Sequence, residues 1–172
     1  MRFFVNIKSW QLFTLMWGLP GLLSLVFLDM LQAPLYIFLT LLCCGPFFSW
    51  LYALRKALNA ILPESTKIPG ALFVFHFWYC IGFIVIGSIL TITRALIASM
   101  LPVFVIASSY YAIALFIIIR SISKALASVE LNKPVSTFDY IRYIMLLYFS
   151  PVGIWIIQPK IREILAQKSS AA

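Results

Sequence analysis

The chain has 172 residues, of which 63% are hydrophobic, 16% aromatic and only 10% charged. A soluble domain carries about 45–50% apolar and about 25% charged residues, and one this small keeps too much surface to hide the difference, so an ordinary soluble fold is excluded. The formal net charge of +8 is no nucleic-acid footprint either, because the 13 Lys and Arg lie scattered at the ends of apolar runs rather than in one patch beside aromatics.

The composition predicts an all-α integral membrane protein, a single membrane domain over residues 1–172. A bilayer core of about 30 Å needs roughly 20 apolar helical residues, and four stretches qualify. Arg2 and Lys8 precede the first, Trp10–Leu28. It is long for a signal-peptide core, and Ala33 is followed by Pro34 with no A-x-A before it, so it reads as an uncleaved span. Within it, Gly18-Leu19-Pro20-Gly21 is a candidate helix break. Asp29–Ala33 is a short loop without Lys or Arg. The second span, Pro34–Leu54, holds Cys43 and Cys44 and a second candidate break at Gly45-Pro46. Loop Arg55–Lys67 carries three basic residues. The third span, Pro69–Thr93, and the fourth, Pro102–Ile119, flank Arg94, which reads as the turn of a helical hairpin. Loop Arg120–Lys133 carries three more basic residues and predicts a short surface helix over Ser121–Leu131, ended by Asn132-Lys133-Pro134.

The C-terminal part has the most specific wording. Ser136 and Asp139 make a capping-box-like S-x-x-D start, so a helix is expected from Thr137 to about Phe149. Ser150-Pro151-Val152-Gly153 should interrupt it. Ile154–Ile157 is apolar again, and Pro159 opens an amphipathic tail over 159–172. The uncharged stretch Tyr143–Ile157 is 15 residues long, short for a span. The broken segment, about 137–157, is therefore either a re-entrant element or a fifth short span. Charge bias arbitrates. With a cytoplasmic N-terminus and a re-entrant segment, 12 of the 13 basic residues lie inside and Arg94 alone lies outside; a fifth span moves Lys160, Arg162 and Lys168 outside. The bias favours re-entry and a cytoplasmic (inner) membrane with anionic headgroups.

Few residues suggest chemistry. His76 shares a helix face with Cys80 at i+4, which invites a metal or haem site, yet the spacing matches no usual ligand set, and no cofactor or metal is expected. A hydrogen bond to a neighbouring helix is the plainer role. Cys43, Cys44 and Cys80 form no C-x-x-C and read as small buried hydrophobes. Asp29 and Arg94, the only charges on the outer side, read as solvated or as a pair. No paired carboxylates, G-x-S-x-G, H-E-x-x-H, P-loop or G-x-G-x-x-G is present, so no catalytic residue is assigned.

Pro151, Gly153, Trp155, Gln158 and Pro159 are the candidates for docking a partner or for gating, since freed backbone groups in lipid need protein or water. The helix-break candidates Gly18, Pro20, Gly21, Gly45 and Pro46 resemble the discontinuities of transporters, but no Asp, Glu, Lys or Arg sits at bilayer depth beside them. The expected function is non-enzymatic: an accessory or structural subunit that packs against other membrane proteins. A small oligomeric transporter or channel, and a haem- or metal-binding protein using His76, are the alternatives.

Overall fold

In lipid, a backbone without internal partners is costly, and the described residues satisfy theirs chiefly by helix. The computed structural model describes residues 4, 7–26, 33–63, 66–92, 100–131, 133 and 135–170, and among them there is no strand. The elements in order are α1 (Ser9–Phe13), a π-helical turn (Thr14–Gly18), α2 (Leu19–Val26), α3 (Ala33–Ile61), α4 (Gly70–Ile92), α5 (Leu101–Leu131), α6 (Thr137–Tyr148) and α7 (Ser150–Ser170). Asp29 and Arg94 lie outside the described residues.

Three helices are long and apolar enough to cross a membrane, over Phe38–Ile61, Gly70–Leu90 and Leu101–Leu131. The first apolar stretch, described as far as Val26, is helical there too, but in three pieces. The Leu19 N–H reaches the Thr14 carbonyl, the i→i−5 spacing of a π turn. Pro20 explains it: in a regular helix its ring would strike the Met16 carbonyl, and the wider turn moves that carbonyl aside. By contrast, α3 runs through Gly45 and Pro46 without interruption.

Besides the break expected at Gly45-Pro46, two sequence expectations are corrected. Ser121–Leu131 is not a separate surface helix. It continues α5, because Arg120 ends the hydropathy run without being a helix breaker, and Ile122, Ser123, Ala125, Leu126, Ala127, Ser128 and Val129 are all buried. At 31 residues α5 is about 46 Å long, roughly 15 Å more than a bilayer core requires. The second correction concerns the C-terminal break. It falls at Phe149 alone (φ −89°, ψ 54°), and α7 then runs from Ser150 through Pro151, Gly153 and Pro159 to Ser170. Pro151 suits a helix start, where its missing N–H has no partner to lose.

α6 begins as its S-x-x-D spacing predicts. The Ser136 N–H and Oγ donate to Asp139 Oδ2 at 2.7 and 2.9 Å. The core then gathers where α1, α3, α5, α6 and α7 meet, around Leu12, Trp50, Leu54, Leu126, Leu147 and Ile157. At the opposite ends of α4 and α5, Ile86, Ile89, Val103 and Ile106 are exposed.

Candidate functional site at the base of the C-terminal hairpin

α6 and α7 form a hairpin. A straight helix would hold Arg142 and Lys160 about 27 Å apart. Instead both meet one carboxylate: Arg142 Nη2 lies 2.5 Å from Glu130 Oε2, and Lys160 Nζ pairs with Oε1. The Tyr143 hydroxyl also donates to Glu130. The Tyr143 ring carries Arg142 on one contact at 4.8 Å and Lys160 on another at 5.5 Å.

The turn itself closes on glycine. A Cβ at Gly153 would lie 1.7 Å from the Leu146 carbonyl oxygen, so no other residue allows α7 to approach α6 this closely. Beyond the turn Trp155 meets the Phe13 ring at 5.9 Å. One turn on, Gln158 is fully buried. Its Oε1 accepts from Trp50 Nε1 at 2.9 Å, and its Nε2 donates to the carbonyls of Phe4 and Ile7 at 3.0 and 3.1 Å. One amide thus ties α7 to α3 and to the segment before α1. Of the five C-terminal candidates, the structure brings Gly153, Trp155 and Gln158 into specific contacts. Pro159 is exposed within α7, and Pro151 lies in its first turn.

A second polar anchor joins α3 to α4. Asn59 Oδ1 accepts from the Ile68 N–H at 2.9 Å, and Asn59 Nδ2 donates to the Ile68 carbonyl at 3.2 Å. Beside it the Arg55 guanidinium covers the Phe73 ring at 4.8 Å.

His76 sits away from both. Its Nδ1 is 2.6 Å from the carbonyl of Leu72 in its own helix, and its ring stacks on Tyr110 at 6.1 Å. Among the described residues no three His, Cys, Asp or Glu converge in a way that could hold a metal ion.

A concavity lies elsewhere. A groove of about 480 Å³ runs between α4 and α5 at their far ends, lined by Tyr79, Gly82, Phe83, Gly87, Phe104 and Ala107 among others. Its tyrosine is already engaged, donating to the Ala107 carbonyl at 2.8 Å. A Cβ at Gly82 would meet nothing within 4 Å.

Glu130, Trp50, Asn59 and the Gly82 groove were not singled out from the sequence. Glu130 offered a signal, being the lone acid between Arg120 and Lys133; Gly82 and Gly87 share the face of α4 that lines the groove. Comparison with protein-family models, curated proteins and solved structures finds no match to this chain.

Proposed function

We propose that this protein is a non-enzymatic accessory subunit of a membrane-protein complex in a cytoplasmic-type membrane. The observation that carries the reading is the α4–α5 groove. Helices associate in lipid by close packing at small residues, and here Gly82 and Gly87 open the backbone of α4 along an otherwise apolar face. A transmembrane helix of a partner would fill that groove. The apolar lining, with its hydroxyl committed, favours such an occupant over a polar substrate.

In the proposed topology the helices Ser9–Val26, α3, α4 and α5 make four spans with the N-terminus in the cytoplasm, following the charge bias. The C-terminal hairpin is re-entrant. What supports this is depth: Arg142 and Lys160 share Glu130 beyond the end of the fourth apolar run, whereas Trp155 reaches Phe13, one turn inside the first. The tip therefore points into the bilayer and both ends leave on the same side.

The test is photocrosslinking. A photoreactive residue at Gly82 or Val103 in native membranes should yield an adduct with a different protein, which should also co-purify in mild detergent. Adducts with lipid alone, or with a second copy alone, would defeat the accessory-subunit reading. A reporter active only outside the cytoplasm, fused after Ala172, should be silent; activity would defeat the topology.

A further inference from the structure

The outward face of the hairpin is unlike the rest of the base. Phe138, Ile141, Met145, Tyr148, Val152 and Trp155 are all at least half exposed, and Phe138 reaches 88%. They recur at helical spacing along α6 and into the first turns of α7, opposite the buried Tyr140, Tyr143, Leu147 and Ile154. This is an apolar stripe about two elements long, and water cannot be its solvent at no cost.

Charge says what covers it. Around the base of the hairpin Lys124, Lys133, Arg142 and Arg162 are exposed cations. Of the acids there, Glu130 is bound to Arg142 and Lys160 and Asp139 to the N-terminus of α6, while the exposed Glu163 accepts from Gln167, so cations remain in excess. The surface is thus apolar toward the tip and basic toward the base, the pattern of an element lying at the acyl–headgroup boundary of an anionic leaflet. The tip faces the bilayer's depth because Trp155 packs on Phe13, within the first apolar run.

We propose that the α6–α7 hairpin is a lipid anchor: its apolar face dips into the leaflet that its own ends leave, and the cations at its base bind anionic phospholipid headgroups. This rests on the same-side topology proposed above and not on the accessory role.

Nitroxide labels introduced singly by Phe138→Cys, Met145→Cys and Val152→Cys, with the native cysteines replaced, test it in lipid nanodiscs. Collisions with oxygen and with a neutral, water-soluble nickel chelate report depth. All three labels should favour oxygen, Val152→Cys most. At Phe138→Cys, changing the discs from phosphatidylcholine to a phosphatidylglycerol mixture should lower nickel collisions about threefold, since each basic side chain gains near an anionic surface. Combining Lys124→Gln, Lys133→Gln and Arg162→Gln should abolish that difference. Labels shielded from both reagents would mean that a protein or a second copy covers the face. Labels open to nickel in both lipids, or indifferent to lipid charge, would equally overturn the proposal. A silent C-terminal reporter together with either result would sink the anchor alone; an active reporter would sink the topology beneath it.

Discussion

The two ends of this molecule are built differently from similar residues. At the hairpin end, α5 is buried from Ile118 to Val129 except at Arg120, Ser121 and Lys124. At the far end the same helix exposes Val103, Val105, Ile106 and Ile113. Both regions are rich in Ile, Val and Phe, so apolarity does not separate them. The packed end is marked by polar side chains with partners: Gln158 on Trp50, Asn59 on Ile68, Glu130 on two cations. In a lipid solvent burial of an aliphatic side chain gains little over exposure, and specific polar contacts and close backbone approach choose the arrangement.

The sharpest way to break that contrast is to add one methyl group at each end. Gly153→Ala should prevent hairpin closure, because its Cβ would sit 1.7 Å from the Leu146 oxygen, at a cost of about 3 kcal/mol or more. Gly82→Ala, with nothing within 4 Å, should change stability by about 0.5 kcal/mol or less. Thermal unfolding in detergent compares the two, and equal effects would erase the distinction between packed and open ends.

Gln158→Leu comes next. It removes the acceptor of the Trp50 N–H and the donor to the Phe4 and Ile7 carbonyls, and should cost about 2 kcal/mol in the same assay. A neutral result would mean that the amide is not what fixes α7 against α3.

Glu130→Gln should cost less, about 1 kcal/mol, since the cluster is partly exposed and water screens it. No change in the detergent unfolding temperature would show that the ion pairs do not hold the base.

The smallest effect is expected at His76. A histidine bonded, among the described residues, to Leu72 of its own helix should tolerate Gln at a cost of about 1 kcal/mol or less. A loss of visible-region absorbance on this substitution, from protein purified out of native membranes, would make it a haem ligand instead.

The apolar runs were legible because a helix in lipid needs an unbroken stretch of near-fixed length, and three of the four stretches named from sequence contain helices that meet it. The first was less so: Pro20 divides it by a π turn, which shortens each regular piece. The extent of α5 was missed because hydropathy ends at Arg120 while helix propensity does not. The C-terminal break was visible in Ser150-Pro151-Val152-Gly153 but misplaced, since a proline that interrupts one helix can also begin the next. Gln158 is one of the docking candidates of the C-terminal segment, but its amide contacts are not readable there. Its partner Trp50 is 108 residues away, a distance that no local pattern encodes. The Glu130 cluster was hidden for the same reason, drawing its cations from two later helices.

The hairpin is the point on which the account turns, and one distance decides it. Nitroxides at Ile141→Cys and Arg162→Cys, in a background without native cysteines, would be about 32 Å apart on a single straight helix. Pulsed electron-electron resonance in nanodiscs should instead give a distribution centred below about 20 Å, as expected when both residues flank the shared Glu130. A distribution near 32 Å would contradict the hairpin and return residues 137–170 to one extended helix.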